Sequence, residues 1–321
     1  MMWDEIIGHE AAKRLLRAHL ASGRVAQAYL LAGVDGVGKR LLALVMARAL
    51  VCEQADDPPC NRCPVCAKVE QGAHPDVHVL SPGGASEQIK IDDIRQVLGR
   101  IALRPFSARW QVVVLPGAER LTEEAANSLL KALEEPASCT RFLLTTSRLS
   151  QCLPTIVSRC QLIRCEPLAP EVLAELLARQ KRCAPDMARA VARLSGGSVV
   201  SAIELLDRWA SHQQLLARLA DEQPVAWLTQ PMPETRQEVA HLLDGLMAWL
   251  RDVAVAALAD PSAVAHGSHA AALRRQAQRL DAGRCIEAAF ELVALRDSLE
   301  QFVSPRLVAS LAREKWLSLH V

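Results

Sequence analysis

Tyr29-Leu30-Leu31-Ala32-Gly33-Val34-Asp35-Gly36-Val37-Gly38-Lys39-Arg40, followed by Leu41-Leu42-Ala43-Leu44-Val45-Met46-Ala47-Arg48-Ala49-Leu50, is the stretch that decides how this chain is read. A short apolar run, a glycine-rich turn and an Ala/Leu-rich helix make the strand–loop–helix context of a phosphate-binding loop. Gly33-x-x-x-x-Gly38-Lys39 has the required spacing, with Gly36 inside the turn. Glycines let the backbone approach a phosphate, the helix start offers unpaired N–H groups, and Lys39 would reach the terminal phosphates. Where the motif needs Ser or Thr to hold Mg²⁺, this chain has Arg40. A guanidinium has no lone pair to offer a cation, so the loop reads as one inherited from an NTPase without its metal ligand.

The strand Gln111-Val112-Val113-Val114-Leu115 is apolar and β-branched enough to be buried on both faces of a parallel sheet. In an NTPase such a strand ends in an Asp for Mg²⁺ and often a Glu that orients water; here Pro116-Gly117 follows. Two separate positions therefore remove a hydrolytic metal site. Glu119 reads as a helix-entry residue. Three further runs read as strands: 77–80, 142–146 and 161–163. Helical spacing predicts helices over Asp4–Leu20 (Ile7, Ala11, Leu15, Ala18 and Leu20 on one face), Ile91–Leu103, and from an N-cap at Thr122 to a stop at Pro136. Ser81-Pro82-Gly83-Gly84 reads as loop. Pro154 to Cys160 reads as a short helix ending in Arg159, which taken alone is a residue complementing a helix C-terminal dipole.

Between the loop helix and the second strand lie Cys52, Cys60, Cys63 and Cys66, spaced C-x7-C-x2-C-x2-C after a Pro58-Pro59 turn. Four thiols at this spacing match a closed tetrahedral Zn²⁺ site, structural because no position is left for water. An iron–sulfur cluster lacks the further cysteine its usual spacing supplies, and a redox dithiol does not need four thiols. His74 and His78 are spare ligand types, but turn and strand positions account for them once four thiols complete the shell.

From Pro167 the β-rich runs stop and Ala/Leu/Arg helices take over. Pro170 and Pro185 open helices at permitted first-turn positions, Gly196-Gly197 ends the second, and Ser198 caps a third. Beyond Trp209, breaks at Pro224, Pro231-Met232-Pro233, Pro261 and Ser304-Pro305 predict five or six amphipathic helices, with Trp227, Trp249 and Trp316 as core fillers. A net charge of +1 and 3% aromatic residues give no general footprint for nucleic acid and no base-stacking platform. The N-terminus lacks a signal layout, no stretch approaches a membrane span, and six of the ten cysteines are scattered singly, which suits a reducing cytoplasm.

The order of these motifs resembles the AAA+ clamp-loader subunits of bacterial DNA polymerase III. The resemblance is carried by Ile7-Gly8-His9, Gln27-Ala28-Tyr29-Leu30, the Cys₄ insertion, His74-Pro75-Asp76, Ala126-Asn127-Ser128-Leu129-Leu130-Lys131-Ala132-Leu133-Glu134-Glu135-Pro136 and Ser158-Arg159-Cys160. It implies an α/β fold followed by an all-α region: an AAA+ P-loop parallel-sheet domain over 1–166 with the Cys₄ insertion at 52–66, a helical lid over 167–207 and a C-terminal helical collar over 208–321. The hydrolysing gamma/tau subunits carry Thr or Ser after the loop lysine, an acidic pair closing the third strand and a lid arginine. This chain has Arg40, Pro116-Gly117 and, after Gly197-Ser198, Val199-Val200.

The resemblance therefore implies an ATPase-silent member of the ring. Such a member has no activity of its own within the polymerase holoenzyme, while Gly33, Gly36, Gly38 and Lys39 form a degenerate loop that leaves nucleotide binding open. It further implies that Arg159 faces a neighbouring subunit's ATP as a finger in trans. The partners it implies are the gamma/tau and delta subunits and, through the complex, the sliding clamp and primed DNA. A free-standing ATPase and a zinc-dependent nucleic-acid-binding module are the rival readings.

Overall fold

The computed structural model describes residues 2–54, 57–80, 88–135, 139–181, 183–221, 232–259, 263–299 and 303–320. The expectations at Ser81-Pro82-Gly83-Gly84, Pro136, Pro224, Trp227, Pro231 and Pro261 lie outside the described residues. Contacts divide the chain into two compact units, one of Met1–Leu173 with Gly196–Ser201, the other of Ala174–Ser195 with Ala202–Val321.

The first unit is built on a five-stranded parallel sheet of β1 (Ala28–Ala32), β2 (Val77–Val79), β3 (Gln111–Leu115), β4 (Thr140–Thr146) and β5 (Gln161–Arg164), in the order β2-β3-β4-β1-β5. Every pairing is parallel, with Tyr29 opposite Leu143 on one side and Gln161 on the other. Side chains alternate between two cores, as the period-2 geometry of a strand requires. Tyr29, Leu31, Val112, Val114 and Leu143 pack on one face, and Leu30, Val113, Leu115, Phe142 and Leu144 on the other. All five residues of β3 are buried, which is why its sequence runs apolar without alternation.

Helix α1 (Glu10–Ala21) precedes β1, and α2 (Lys39–Val51), α3 (Pro64–Glu70), α4 (Ile91–Ile101), α5 (Glu123–Glu134) and α6 (Pro154–Arg159) connect the strands. Thr122 caps α5 as expected, its Oγ1 accepting from the Ala125 N–H at 3.3 Å. Two expectations fail at α1. The helix starts at Glu10, not Asp4, because Gly8 (φ 75°) and His9 (φ 58°) both adopt left-handed backbone. Its buried face is Ala12, Lys13 and Leu16, while Ala11, Leu15 and Ala18 are exposed. A register counted from Ile7 runs across the Gly8-His9 break, which resets it. Helix α3, capped by Cys63 with Pro64 at its first position, was not anticipated.

Helices α7 (Pro170–Lys181), α8 (Pro185–Leu194) and α9 (Val199–Asp207) follow, with the Ser198 Oγ accepting from the Ser201 N–H at 3.1 Å. Then come α10 (Trp209–Leu219), α11 (Arg236–Leu258), α12 (Ala270–Ala277), α13 (Ala282–Ser298) and α14 (Pro305–Ser318), five helices beyond Trp209 among the described residues. Trp249 and Trp316 are buried in their shared core with Leu216, Leu243, Leu246, Leu273 and Leu292, as expected of core fillers. Among the described residues no helix is long and apolar enough to cross a membrane.

Candidate functional site

The turn after β1 needs two of its glycines where they stand. Gly33 lies so close to β5 that a Cβ there would meet the Cys165 carbonyl oxygen at 2.1 Å. Gly36 (φ +72°) would drive a Cβ to 2.4 Å from Ser198 Oγ and 2.7 Å from Val200 Cβ. Both the conformation and the space exclude any other residue. The Val199 N–H donates to the Gly36 carbonyl at 3.0 Å, so Ser198-Val199-Val200 packs directly on the turn. Nε2 of His9 lies 2.7 Å from the Val37 carbonyl and supports the turn from beneath.

Lys39 is 5% exposed. Its ammonium donates to the Val34 carbonyl at 2.7 Å and to Ser147 Oγ at 3.1 Å. Ser147 Oγ in turn donates to Asp35 Oδ1 at 3.2 Å, and the Ser147 N–H donates to Glu119 Oε1 at 3.0 Å. Burial lowers the Lys39 pKa, with the Asp35 and Glu119 carboxylates opposing that shift. The loop lysine is thus held in a closed network of protein groups. Glu119 belongs to this network and does not serve as a plain helix-entry residue. Its signal was hidden because the residue lies four positions beyond β3, in a 3₁₀ turn (Ala118–Arg120). Ser147, one residue past β4, carries no motif that reading along the sequence would find. Arg40 is exposed, and Gly117 takes φ 75° where an acidic side chain would be needed.

The four cysteines converge. The Sγ atoms of Cys52, Cys60, Cys63 and Cys66 all lie within 4.8 Å of one another. A tetrahedral Zn²⁺ with bonds of about 2.3 Å sets its sulfurs about 3.8 Å apart, so the arrangement fits such an ion. The Cys66 N–H donates to Cys63 Sγ at 3.4 Å, the local geometry that the start of α3 imposes. A hydrogen bond from the Arg62 backbone is the largest influence bringing the Cys60 thiol down to about 6, whereas burial pushes Cys66 up to about 12. The knuckle is tied to the sheet unit by side chains the motif does not reveal. The buried Arg48 donates through Nε to the Cys66 carbonyl at 2.9 Å and pairs with Glu70 at 2.7 Å. Trp3 Nε1 donates to the Pro58 carbonyl at 2.7 Å, and Arg17 grips both oxygens of Asp57.

His74 is a turn residue, its Nδ1 accepting from the Asp76 N–H at 3.1 Å. The buried Asp76 accepts from the N–H groups of Phe106, Ser107 and Ala108 at 2.6, 2.8 and 2.9 Å. Burial pushes its carboxyl up, but these donors outweigh burial and hold it below its usual range. The loop so fastened presents Leu103 (70% exposed) and Phe106 (85% exposed).

Arg159 stands apart from the loop network, at the C-terminal end of α6. Its Nη2 pairs with Glu134 Oε1 at 2.6 Å, and Nη1 donates to the Thr155 carbonyl at 3.1 Å and to Ser158 Oγ at 3.3 Å. The guanidinium is partly exposed at the surface, and every contact named here is to the residues of α5 and α6.

Residues 8–169 match the family described as "DNA polymerase III, delta subunit". A protein of Pseudomonas aeruginosa named DNA polymerase III subunit delta′ is 34% identical over 72% of this chain and 72% of its own length. Proteins of the same name from Bacillus subtilis and Escherichia coli are 35% and 32% identical over 60% and 65% of this chain. The matches span 57% and 64% of those two relatives, less than two thirds of either.

Proposed function

The chain belongs to the bacterial DNA polymerase III delta-prime family, and from that premise we propose that it is the ATPase-silent subunit of a clamp-loader ring, lending Arg159 to a neighbour's ATP. The observation that carries this reading is a contrast. Lys39 is tied inward to Ser147 and Val34 beside positions that cannot hold Mg²⁺, while Arg159 is kept at the surface on a helix end. A permanently charged planar fork stabilises charge on γ-phosphoryl oxygens, and in GTPases such a finger is worth on the order of 10³–10⁵ in rate.

The AAA+ domain ends near residue 166, a lid runs over 167–207 and a collar over 208–321. In the collar, α13 exposes Ile286, Phe290 and Val293 at helical spacing and α14 exposes Leu307 and Leu311, which supports packing against other helical domains. The pinned Leu103–Phe106 knob supports a further protein contact. The partners are the gamma/tau and delta subunits, with the sliding clamp and primed DNA engaged through the complex in the cytoplasm. The Cys₄ cluster holds structural Zn²⁺.

Reconstitution tests the assignment. A gamma/tau–delta assembly with this chain should hydrolyse ATP and load clamp onto primed DNA, and the assembly without it should do neither efficiently. ATP turnover by the purified chain alone would defeat the reading.

A further inference from the structure

The C-terminal helical unit contains a histidine cluster that clamp loading does not call on. His212 lies on α10, His241 on α11, and His266 and His269 just before α12. Asp252 anchors one end. It is fully buried, its Oδ1 accepts from Arg251 Nη2 at 2.8 Å, and its Oδ2 lies 2.8 Å from both the His266 N–H nitrogen and His266 Nδ1.

The protonation pattern follows from the partners. A carboxylate only accepts, so His266 Nδ1 carries the proton, and in a neutral ring His266 Nε2 is then an acceptor. His212 Nε2 lies 3.2 Å from it and must donate. That leaves His212 Nδ1 as a bare lone pair. This atom is buried without a hydrogen-bond partner, on a residue only 3% exposed, and His241 Nε2 is likewise buried and unpartnered. The two rings are neighbours, with centroids 5.6 Å apart and planes at 61° in an edge-type contact. Two imidazoles on one tetrahedral metal, with bonds of about 2.0–2.1 Å, bring their centroids to about 5.2 Å.

We propose that His212 Nδ1 and His241 Nε2 form a second, nitrogen-donor site for a first-row divalent transition metal, distinct from the cysteine cluster. The Asp252–His266 pair is its outer support, fixing the His212 tautomer as carboxylate–histidine pairs do behind metal-bound imidazoles. Water completes the shell. Asp244, three residues beyond His241, supplies a nearby negative charge, with its carboxylate 3.3 Å from Arg296 Nε. Arg208 on this side opposes the cation, and His269 adds a further ring. His241 forms part of the wall of a cavity of about 580 Å³ in which the acidic Glu234 and Glu238 are set against the cationic Arg218 and Arg313, and this cavity provides an entry path.

Zinc stoichiometry of the full-length chain, measured after equilibration in buffered Zn²⁺, tests this. The wild type should bind two equivalents, His241→Ala and His241→Gln one each, and Cys63→Ser should keep the nitrogen site. Cobalt substitution separates the sites independently of folding in any variant. One equivalent should give intense sulfur charge-transfer bands, and the other only weak ligand-field bands that disappear in His241→Gln. A wild type that binds a single equivalent with purely sulfur character would mean that the histidines share a water molecule, and would overturn the proposal while leaving the clamp-loader reading untouched.

Discussion

Lys39 Nζ lies 3.1 Å from Ser147 Oγ, a hydrogen bond that joins the phosphate loop after β1 to the end of the neighbouring strand β4. Together with the 2.7 Å bond to the Val34 carbonyl it places the ammonium against protein oxygens. A phosphate drawing on Lys39 would have to compete with both contacts.

ATP should therefore bind the isolated chain no more tightly than about 1 mM, roughly 4 kcal/mol of binding free energy. Lys39→Met should leave that weak binding unchanged. Stability should move by no more than about 1 kcal/mol, because removing a buried charge offsets the two lost hydrogen bonds. Equilibrium dialysis and urea unfolding measure both. Micromolar affinity abolished by the substitution would show a working loop.

Arg159→Ala should slow ATP turnover by the assembled ring by tenfold or more, a threshold set below the roughly 10³–10⁵ that such fingers supply in GTPases. Assembly should be intact, since among the described residues the side chain's polar contacts are to Thr155, Ser158 and Glu134. Glu134→Gln, which releases the guanidinium from its ion pair, should not reduce turnover. Normal clamp-stimulated hydrolysis by the Arg159→Ala ring would exclude the finger role.

Loss of the cysteine cluster should appear as instability before it appears as lost chemistry. Cys63→Ser removes one sulfur ligand while its hydroxyl can still cap α3, so the variant should lose the sulfur-bound zinc and melt earlier. Arg48→Met should weaken metal retention less, since it loosens the Cys66 carbonyl without touching a ligand. Metal analysis and thermal scans with and without chelator check this. Unchanged melting after metal removal would contradict a structural role.

Acid should loosen the Phe106 loop through Asp76. Its carboxyl titrates below the usual value of 3.8 in the folded chain. The stability it contributes is therefore complete above that value and is lost as pH falls through the lower folded one. Asp76→Asn should cost about 2–3 kcal/mol near neutral pH, the scale of hydrogen bonds to a charged acceptor, and should flatten the acid limb of the stability profile. Chemical denaturation across pH 2–7 measures it, and a variant with an unchanged acid limb would show that Asp76 is not the group responsible.

Local signals carried much of this molecule. A buried parallel strand must be apolar on both faces, so β3 was delimited correctly from Gln111 to Leu115, and Thr122 was identified as a cap because few residue types can accept the orphan N–H groups of a helix start. The α1 register failed for an equally local reason: helical periodicity was extrapolated through Gly8-His9, whose left-handed backbone restarts the count. Helix α3 was overshadowed by its own cysteines.

What the sequence by itself determined were the covalent facts: the Gly33–Lys39 spacing, the side chains at Arg40 and Pro116-Gly117 that cannot ligate Mg²⁺, and four thiols close enough in the chain to converge. Only the tertiary structure decided where Lys39 points, that Glu119 and Ser147 close the network around it, and that the rings of His212 and His241, each with an unsatisfied buried nitrogen, become neighbours. Those pairings join residues from separate elements, and side chains far apart in the chain become neighbours only when strands align and helices pack.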